Sequence, residues 1–155
     1  MKNIPGSMGT CASIALRLGQ AICSSSSILF MSLGVGFYSY TAFCFLVTIM
    51  GLVIPWSFTL ALLDGYSILA KFPIHQSGML QVIILGDLVL SILTLAAASS
   101  TASIVDLLLK ADVSFCPPRI CSRYQISAAM AFLSWFLSLT SSLTNLWLLP
   151  SLDAD

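Results

Sequence analysis

Four long apolar segments, separated by short polar stretches, dominate the pattern of hydrophobic positions along the chain. They cover residues 11–35, 40–63, 79–109 and 124–149. Each is long enough to cross a bilayer as a helix, which takes about 20 mostly apolar residues. Runs such as residues 46–50 do not alternate between polar and apolar side chains, as the strands of a membrane barrel would. The pattern predicts an all-α fold in which residues 1–155 form one integral membrane domain, a four-helix transmembrane bundle.

The predicted connections are short. Because the number of spans is even, both termini lie on the same side of the membrane. Residues 36–39 form a tight turn, residues 64–78 a medium loop and residues 110–123 a proline-rich loop. Pro55 is expected to kink the second helix because it removes a backbone donor, and Pro150 is expected to end the fourth helix.

Composition supports a membrane protein and excludes several classes of function. The chain is 58% hydrophobic and only 8% charged, with no net charge and a mean hydropathy of +1.00. It has no basic run for nucleic acid, no glycine-rich phosphate loop, no catalytic Ser/His/Asp set and no paired metal-ligand motif. We therefore predict that the chain is not an enzyme, has no cofactor and no small-molecule substrate, and has membrane lipid as a partner.

Polar and small residues recur within the apolar segments at steps of three and four, which places them on one face of each helix. In lipid, small side chains let helix backbones approach, and hydroxyl or amide groups bond across the contact. Each segment is therefore predicted to carry a packing seam. The seam residues are Ser13, Arg17, Gln20, Ser24 and Ser27 in the first segment, Thr41, Cys44, Thr48, Gly51 and Pro55 in the second, Asp87, Ser91, Thr94, Ala98 and Thr101 in the third, and Ser127, Ala131, Ser134, Ser138, Ser141 and Asn145 in the fourth.

Two charged residues interrupt the apolar segments at similar depth. Arg17 lies in the first segment and Asp87 in the third, and these segments run in the same direction. A lone charge in lipid costs about 2.5–3.5 kcal/mol on insertion scales, so we expect the two to form an intramembrane ion pair. Asp64 is a competing partner, because the long arginine side chain can reach toward the membrane surface. A proton or ion relay is the functional alternative, although the chain has no glutamate and a single histidine, His75 in a loop.

The residues leave the orientation of the bundle open. Lys110, Arg119 and Arg123 near the third connection favour a cytosolic position for it by the positive-inside rule. Cys116 and Cys121 in the same connection are suited to a disulfide in an oxidising compartment, which favours the opposite orientation. Two free thiols in a cytosolic loop are the alternative.

The three tryptophans are expected to lie against lipid or at its interface. They are Trp56, Trp135 and Trp147. The amphipathic indole ring favours that position in membrane proteins.

The chain resembles the CASP-like proteins of land plants, the family that includes the Casparian strip membrane domain proteins. The resemblance rests on four spans, Arg17 in the first span, and residues 52–57 (LVIPWS), 86–103 (beginning Gly-Asp) and 123–131 (RYQISAAMA). It extends over most of the chain and is strongest toward the subgroup numbered five.

The resemblance implies a function as well as a fold. It implies a plasma-membrane protein with both termini cytosolic, distantly similar to MARVEL four-helix proteins, which forms homodimers and heterodimers with relatives. The best-known members of the family form membrane scaffolds that recruit cell-wall-modifying enzymes, and the resemblance implies a general scaffold role that organises membrane domains. The short turn at residues 36–39 lacks the longer first extracellular loop of the Casparian strip members, so a role in the strip itself is not expected. A small transporter or channel component that uses Arg17 and Asp87 is the alternative function.

Overall fold

A computed structural model describes residues 10–33, 37–70, 77–111 and 118–152. This part of the chain contains four α-helices and no strand. The helices are α1 (Cys11–Ser32), α2 (Thr41–Ala70), α3 (Ser77–Ala111) and α4 (Pro118–Leu152), and a 3-10 turn (Phe37–Ser39) precedes α2. Each helix is long and apolar enough to cross a membrane. The predicted all-α membrane fold is confirmed.

Several helix ends differ from the sequence prediction. Helix α4 begins at Pro118 rather than at residue 124, so the predicted proline-rich loop at residues 110–123 is too long, and α1 ends at Ser32 rather than at residue 35. Helix α2 continues to Ala70 rather than ending at residue 63, because residues 66–70 remain mostly apolar and contain no proline. The predicted loop at residues 64–78 is therefore too long. Helix α4 continues through Pro150 to Leu152, because a proline in the last turn removes only one backbone bond from a helix that is already ending.

The helices form a closed ring in chain order. Helix α1 packs against α2 and α4, and α3 also packs against α2 and α4. Neighbouring helices are antiparallel, as expected from short connections. Helices α1 and α3 therefore lie diagonally opposite each other and run in the same direction.

The interior divides into two halves of different chemistry. The apolar half lies where α2 begins and contains Phe43, Leu46, Met50, Val53 and Tyr124. Here the rings of Phe43 and Tyr124 pack with their centroids 4.8 Å apart. The polar half lies nearer the chain termini. It contains buried Ser13, Arg17, Gln20, Ser57, Asp64, Asp87, Ser138, Ser141 and Asn145.

The seams predicted for α1, α3 and α4 all face the interior. Every one of their residues is buried, including Ser24, Ser91, Thr94 and Ser134. Between α1 and α4, the hydroxyls of Ser24 and Ser134 lie 2.8 Å apart. One turn away, the Ser27 hydroxyl donates to the Ser127 carbonyl at 3.0 Å, and the Ser127 hydroxyl donates to the Ser27 carbonyl at 2.8 Å.

The seam predicted for α2 is wrong. Thr41, Thr48, Gly51 and Pro55 are exposed on the outer surface of the bundle, and Cys44 is half-buried. The inner face of α2 is built from large apolar side chains, and the Thr48 hydroxyl is satisfied by the Cys44 carbonyl of its own helix, 2.9 Å away. A hydroxyl that bonds to its own helix does not require a partner helix, so its polarity did not identify the inner face.

The reciprocal contact of Ser27 with Ser127 should stabilise the pairing of α1 with α4. In a double-mutant cycle with Ser27→Ala and Ser127→Ala, we expect a coupling energy of about 0.6 kcal/mol and no more than about 1.7 kcal/mol, the range found for hydrogen bonds between membrane helices. Unfolding in mixed micelles would measure it. Ser99→Ala is the control partner, because the exposed Ser99 hydroxyl bonds to its own helix at Ala96, so its effect should add to that of Ser127→Ala. No measurable coupling between Ser27 and Ser127 would contradict the assignment.

Candidate functional site: a buried charge cluster

An ion pair between Arg17 and Asp87 crosses the diagonal of the bundle. Both side chains are fully buried, with 0% of each accessible. Arg17 Nη1 donates to Asp87 Oδ1 at 2.8 Å, and Arg17 Nη2 donates to Asp87 Oδ2 at 2.6 Å. These two parallel bonds match the guanidinium fork to both carboxylate oxygens, the strongest geometry for such a pair. Helices α1 and α3 are not one of the closely packed helix pairs, so the long arginine side chain links two diagonally opposite helices.

Trp56 completes the surroundings of Asp87 from a third helix. Its indole Nε1 donates to Asp87 Oδ1 at 2.8 Å, so this carboxylate accepts three hydrogen bonds in all. Trp56 is half-buried, and the expectation that it lies against lipid or at its interface did not include this contact with Asp87. Trp147 agrees with the same expectation, since it is 81% exposed, and Trp135 is half-buried.

Gly86 provides the space that the indole occupies. A Cβ atom built at this position would lie far inside contact distance of the Trp56 ring. The absence of a side chain at Gly86 lets the ring lie against the backbone of α3, with its N–H beside the next residue, Asp87. A glycine next to the buried aspartate is thus part of the site.

Asp64 has a different partner from the one considered in the sequence. Its Oδ2 accepts a hydrogen bond from the Ser13 hydroxyl at 2.5 Å, and the carboxylate is buried. Ser13 is itself placed by the start of α1, where its backbone N–H donates to the Thr10 side chain that caps the helix. The guanidinium fork of Arg17 takes Asp87 instead. The two buried carboxylates of the polar half therefore have different donors. Asp64 accepts from a hydroxyl, and Asp87 accepts from a guanidinium group.

The surrounding polar groups are less completely satisfied than the Asp87 carboxylate. Within the described residues, six buried side-chain atoms have no hydrogen-bond partner. They are Arg17 Nε, Gln20 Oε1, Ser57 Oγ, Ser138 Oγ, Ser141 Oγ and Asn145 Nδ2. An unsatisfied buried polar atom costs about 1–3 kcal/mol. The polar half is therefore stabilised mainly by the hydrogen bonds to Asp87 and Asp64. Losing one of these bonds would add to the cost of the atoms that already have no partner.

The cysteines and the histidine add little to this site. Cys121 is disulfide-bonded, whereas Cys11, Cys23 and Cys44 are free. The predicted pairing of Cys116 with Cys121 involves Cys116, which lies outside the described residues. His75 also lies outside them. Among the described residues, no group of three His, Cys, Asp or Glu side chains is arranged to hold a metal ion.

Four candidate spanning helices and a buried intramembrane ion pair define this chain as an integral membrane protein of the four-span class. The Casparian strip membrane protein domain matches residues 6–137. The chain belongs to the CASP-like family.

Plant relatives agree along almost the whole length. The chain is 61% identical over 146 residues to CASP-like protein 5C1 of Oryza sativa subsp. japonica, covering 94% of each chain. It is 57% identical over 152 residues to CASP-like protein 5C3 of Arabidopsis thaliana, covering 98% of this chain and 99% of the relative. CASP-like protein 5B1 of Ginkgo biloba is 47% identical over 97% of this chain and 84% of the relative. No solved structure matches significantly.

Removing either charge of the pair should destabilise the bundle severely. Arg17→Leu and Asp87→Asn should each lower the free energy of unfolding by about 3–5 kcal/mol, because each leaves a buried group without its partner. The double variant Arg17→Leu/Asp87→Asn should lose less than the two single losses combined, since no buried charge remains. Unfolding in mixed micelles, followed by circular dichroism, measures all of them.

An exposed ion pair provides the matched control. Lys110 Nζ and Asp106 Oδ2 lie 2.6 Å apart on the surface of α3, with 72% and 60% of their side chains accessible. Asp106→Asn should leave the unfolding free energy nearly unchanged. Full additivity of the two buried substitutions would show that Arg17 and Asp87 do not act as a pair.

A side chain at Gly86 should displace the indole from Asp87. Gly86→Leu is expected to destabilise the bundle and to shift the tryptophan fluorescence, because the ring would have to leave the contact that buries it. Gly65→Leu is the control in the same fold, since nothing lies within 4 Å of a Cβ at Gly65. Equal stability of the two variants would contradict the described packing of Trp56.

Proposed function

We propose that this protein is a plasma-membrane scaffold that self-associates, and associates with related CASP-like proteins, to organise membrane domains and recruit cell-wall-modifying partners. The proposal places both termini in the cytosol. Membership of the CASP-like family supports it. Association with a second copy or a relative would occur through the outer surface of the bundle.

The line of small residues on α2 carries the proposal. Thr41, Cys44, Thr48, Gly51 and Pro55 follow one outward face of the helix, and nothing within the described bundle lies against Gly51. In lipid, a line of small residues allows a second helix to approach closely and gain van der Waals contact. The other three lines of this kind are buried in helix contacts within the chain. Of the four predicted lines, the α2 line is the one that remains open to a second copy or a relative.

The buried ion pair supports a structural role inside the bundle, which leaves association to the outer surface. Arg17 and Asp87 have no accessible surface, and each bonds the other. A transport site would need the charge to meet a solute or water on at least one side. The pair instead links helices, so that a stable bundle presents its outer faces to neighbours.

The orientation draws support from Cys121. This residue is disulfide-bonded at the end of the bundle away from the chain termini. Structural disulfides persist in oxidising compartments. This favours placing that end outside the cell and the termini inside, against the positive charge of Lys110, Arg119 and Arg123 at the same end.

Native Cys44 offers a direct test of the α2 surface. In a variant with Cys11→Ala and Cys23→Ala, mild oxidation in lipid vesicles should link two copies through Cys44, while the disulfide at Cys121 is kept. Gly51→Leu should reduce this linked dimer several-fold, because the larger side chain blocks the close approach of the second helix while the bundle itself has space for it. The yield is read on a non-reducing gel.

Gly78→Leu is the matched control. Gly78 also has open space around its Cβ but lies on α3, so this substitution should leave the Cys44 crosslink unchanged. A variant that retains Cys23 and lacks Cys44 should give no linked dimer. Absence of the Cys44 crosslink at every protein-to-lipid ratio would contradict the proposed interface.

Reconstitution also separates the scaffold from the transport alternative. Vesicles that contain the wild-type protein should show no proton or solute flux above protein-free vesicles. Flux that is lost in a folded Asp87 variant whose Cys44 crosslink is intact would favour transport instead.

A further inference from the structure

Buried polar atoms of α1 and α4 that have no hydrogen-bond partner among the described residues face each other inside the bundle. The contact between Ser24 of α1 and Ser134 of α4 gives the register of these antiparallel helices. Gln20 lies four residues before Ser24, and Ser138 lies four residues after Ser134. One turn on each helix therefore separates both residues from the same contact, so Gln20 and Ser138 lie opposite each other at one depth.

Helix α2 contributes a third atom at this depth. Ser13 of α1 bonds to Asp64 of α2, which gives the register of that pair of helices. Gln20 lies seven residues after Ser13 and Ser57 lies seven residues before Asp64, which is about two turns along each helix. Gln20 Oε1, Ser57 Oγ and Ser138 Oγ therefore form one layer across three helices, and none of them bonds to another.

A second group of such atoms lies one turn nearer the chain termini. Arg17 comes three residues before Gln20 and Ser141 three residues after Ser138, so Arg17 and Ser141 also lie opposite each other. Asn145 comes one turn after Ser141 and leans toward it, because helical side chains tilt toward the N-terminus of their own helix. Arg17 Nε, Ser141 Oγ and Asn145 Nδ2 are buried and have no partner among the described residues.

The donors and acceptors of the two groups suit water better than an ion. Gln20 Oε1 only accepts, Arg17 Nε and Asn145 Nδ2 only donate, and the serine hydroxyls do both. A cation would be repelled by the guanidinium group, and an anion would meet the Gln20 oxygen beside an arginine that Asp87 already neutralises. Water donates two hydrogen bonds and accepts two, and a buried water typically bonds to about three polar groups that otherwise have no partner.

We propose that the polar half of the bundle binds water at these two groups. In the layer of Gln20, Ser57 and Ser138, a water donates to the amide oxygen and exchanges hydrogen bonds with the two hydroxyls. In the second group, a water accepts from the guanidinium Nε and the amide Nδ2, and it donates to the hydroxyl. Each water spans a gap between facing polar atoms that do not reach each other directly.

The water of the second group completes the links among the four helices. Asp87 of α3 accepts from Arg17 of α1 and from Trp56 of α2, so three helices meet at its carboxylate. A water between Arg17 Nε and Ser141 adds α4 to the same cluster. Both Nη atoms of Arg17 remain bonded to Asp87, so the water leaves the ion pair intact.

Transfer of magnetisation from water to the full chain tests for the bound waters directly. The protein is studied in lipid bilayers by solid-state NMR, with water itself as the probe. We expect the Cβ signals of Ser138 and Ser141 to build up several-fold faster than that of Ser127. Ser127 is the matched control, because it is equally buried on the same helix but bonds directly to Ser27. Equal build-up at the three serines would overturn the proposal.

The variant Ser138→Ala gives a second test, in which the sign of the effect decides. A bound water loses one of its partners, so the equilibrium constant for unfolding in mixed micelles should rise about fivefold, which corresponds to one net hydrogen bond. Without bound water, the substitution removes an unsatisfied hydroxyl and lowers this constant, which would overturn the proposal. Ser142→Ala is the control and should change the constant little, because its buried hydroxyl bonds to the Ser138 carbonyl of its own helix at 3.0 Å.

Replacement of sodium by choline in the buffer separates bound water from a bound cation. The unfolding constant of the wild type should be the same in both salts. A higher constant in choline would indicate a cation at these groups and overturn the proposal. Circular dichroism and gel filtration establish that each variant is folded.

Discussion

The contact between Arg17 and Asp87 is the constraint on which the rest of the bundle depends. The two residues lie on diagonally opposite helices, and the two parallel hydrogen bonds between them pass through the interior. Trp56 on α2 donates a further bond to Asp87, so three helices meet at one carboxylate. A charge in lipid is costly when alone, and this cost makes any arrangement that separates α1 from α3 unfavourable. The pair therefore selects one packing of four helices that are otherwise similar in apolar character.

The two halves of the interior contribute to stability in different ways. The apolar half is packed around Phe43, Met50 and Tyr124, and close van der Waals contact holds it together. The polar half contains buried atoms without partners alongside the well-satisfied carboxylate of Asp87. On the outer surface of the spans, hydroxyls such as those of Thr48, Thr59 and Ser99 bond to their own helix. The contacts that the protein makes with other chains must then come from shape, as on the small-residue face of α2, or from the charged residues at the ends of the helices.

Much of this arrangement could be predicted from the sequence, because lipid restricts the length of the helices and the placement of charged side chains. The length of the apolar segments gave the four helices, and the matching depth of Arg17 and Asp87 indicated their pairing. The steps of three and four identified the buried faces of α1, α3 and α4. On α2 the same rule selected the outer face, since Thr48 satisfies its hydroxyl within its own helix and large residues such as Phe43 and Leu46 fill the interior. The role of Trp56 was missed because periodicity does not reveal which donor reaches a carboxylate on another helix; the glycine at position 86, directly before the buried aspartate, was the available signal.

Self-association in the membrane is tested most directly by counting subunits in a bilayer. The full chain, labelled with one fluorophore per copy at an added terminal tag, would be reconstituted into vesicles at several protein-to-lipid ratios and bleached under single-molecule observation. A self-associating scaffold predicts spots that bleach in two or more steps well above the frequency of chance co-reconstitution, and fewer such spots for Gly51→Leu. Single bleaching steps at every ratio, with no difference between the two proteins, would contradict it.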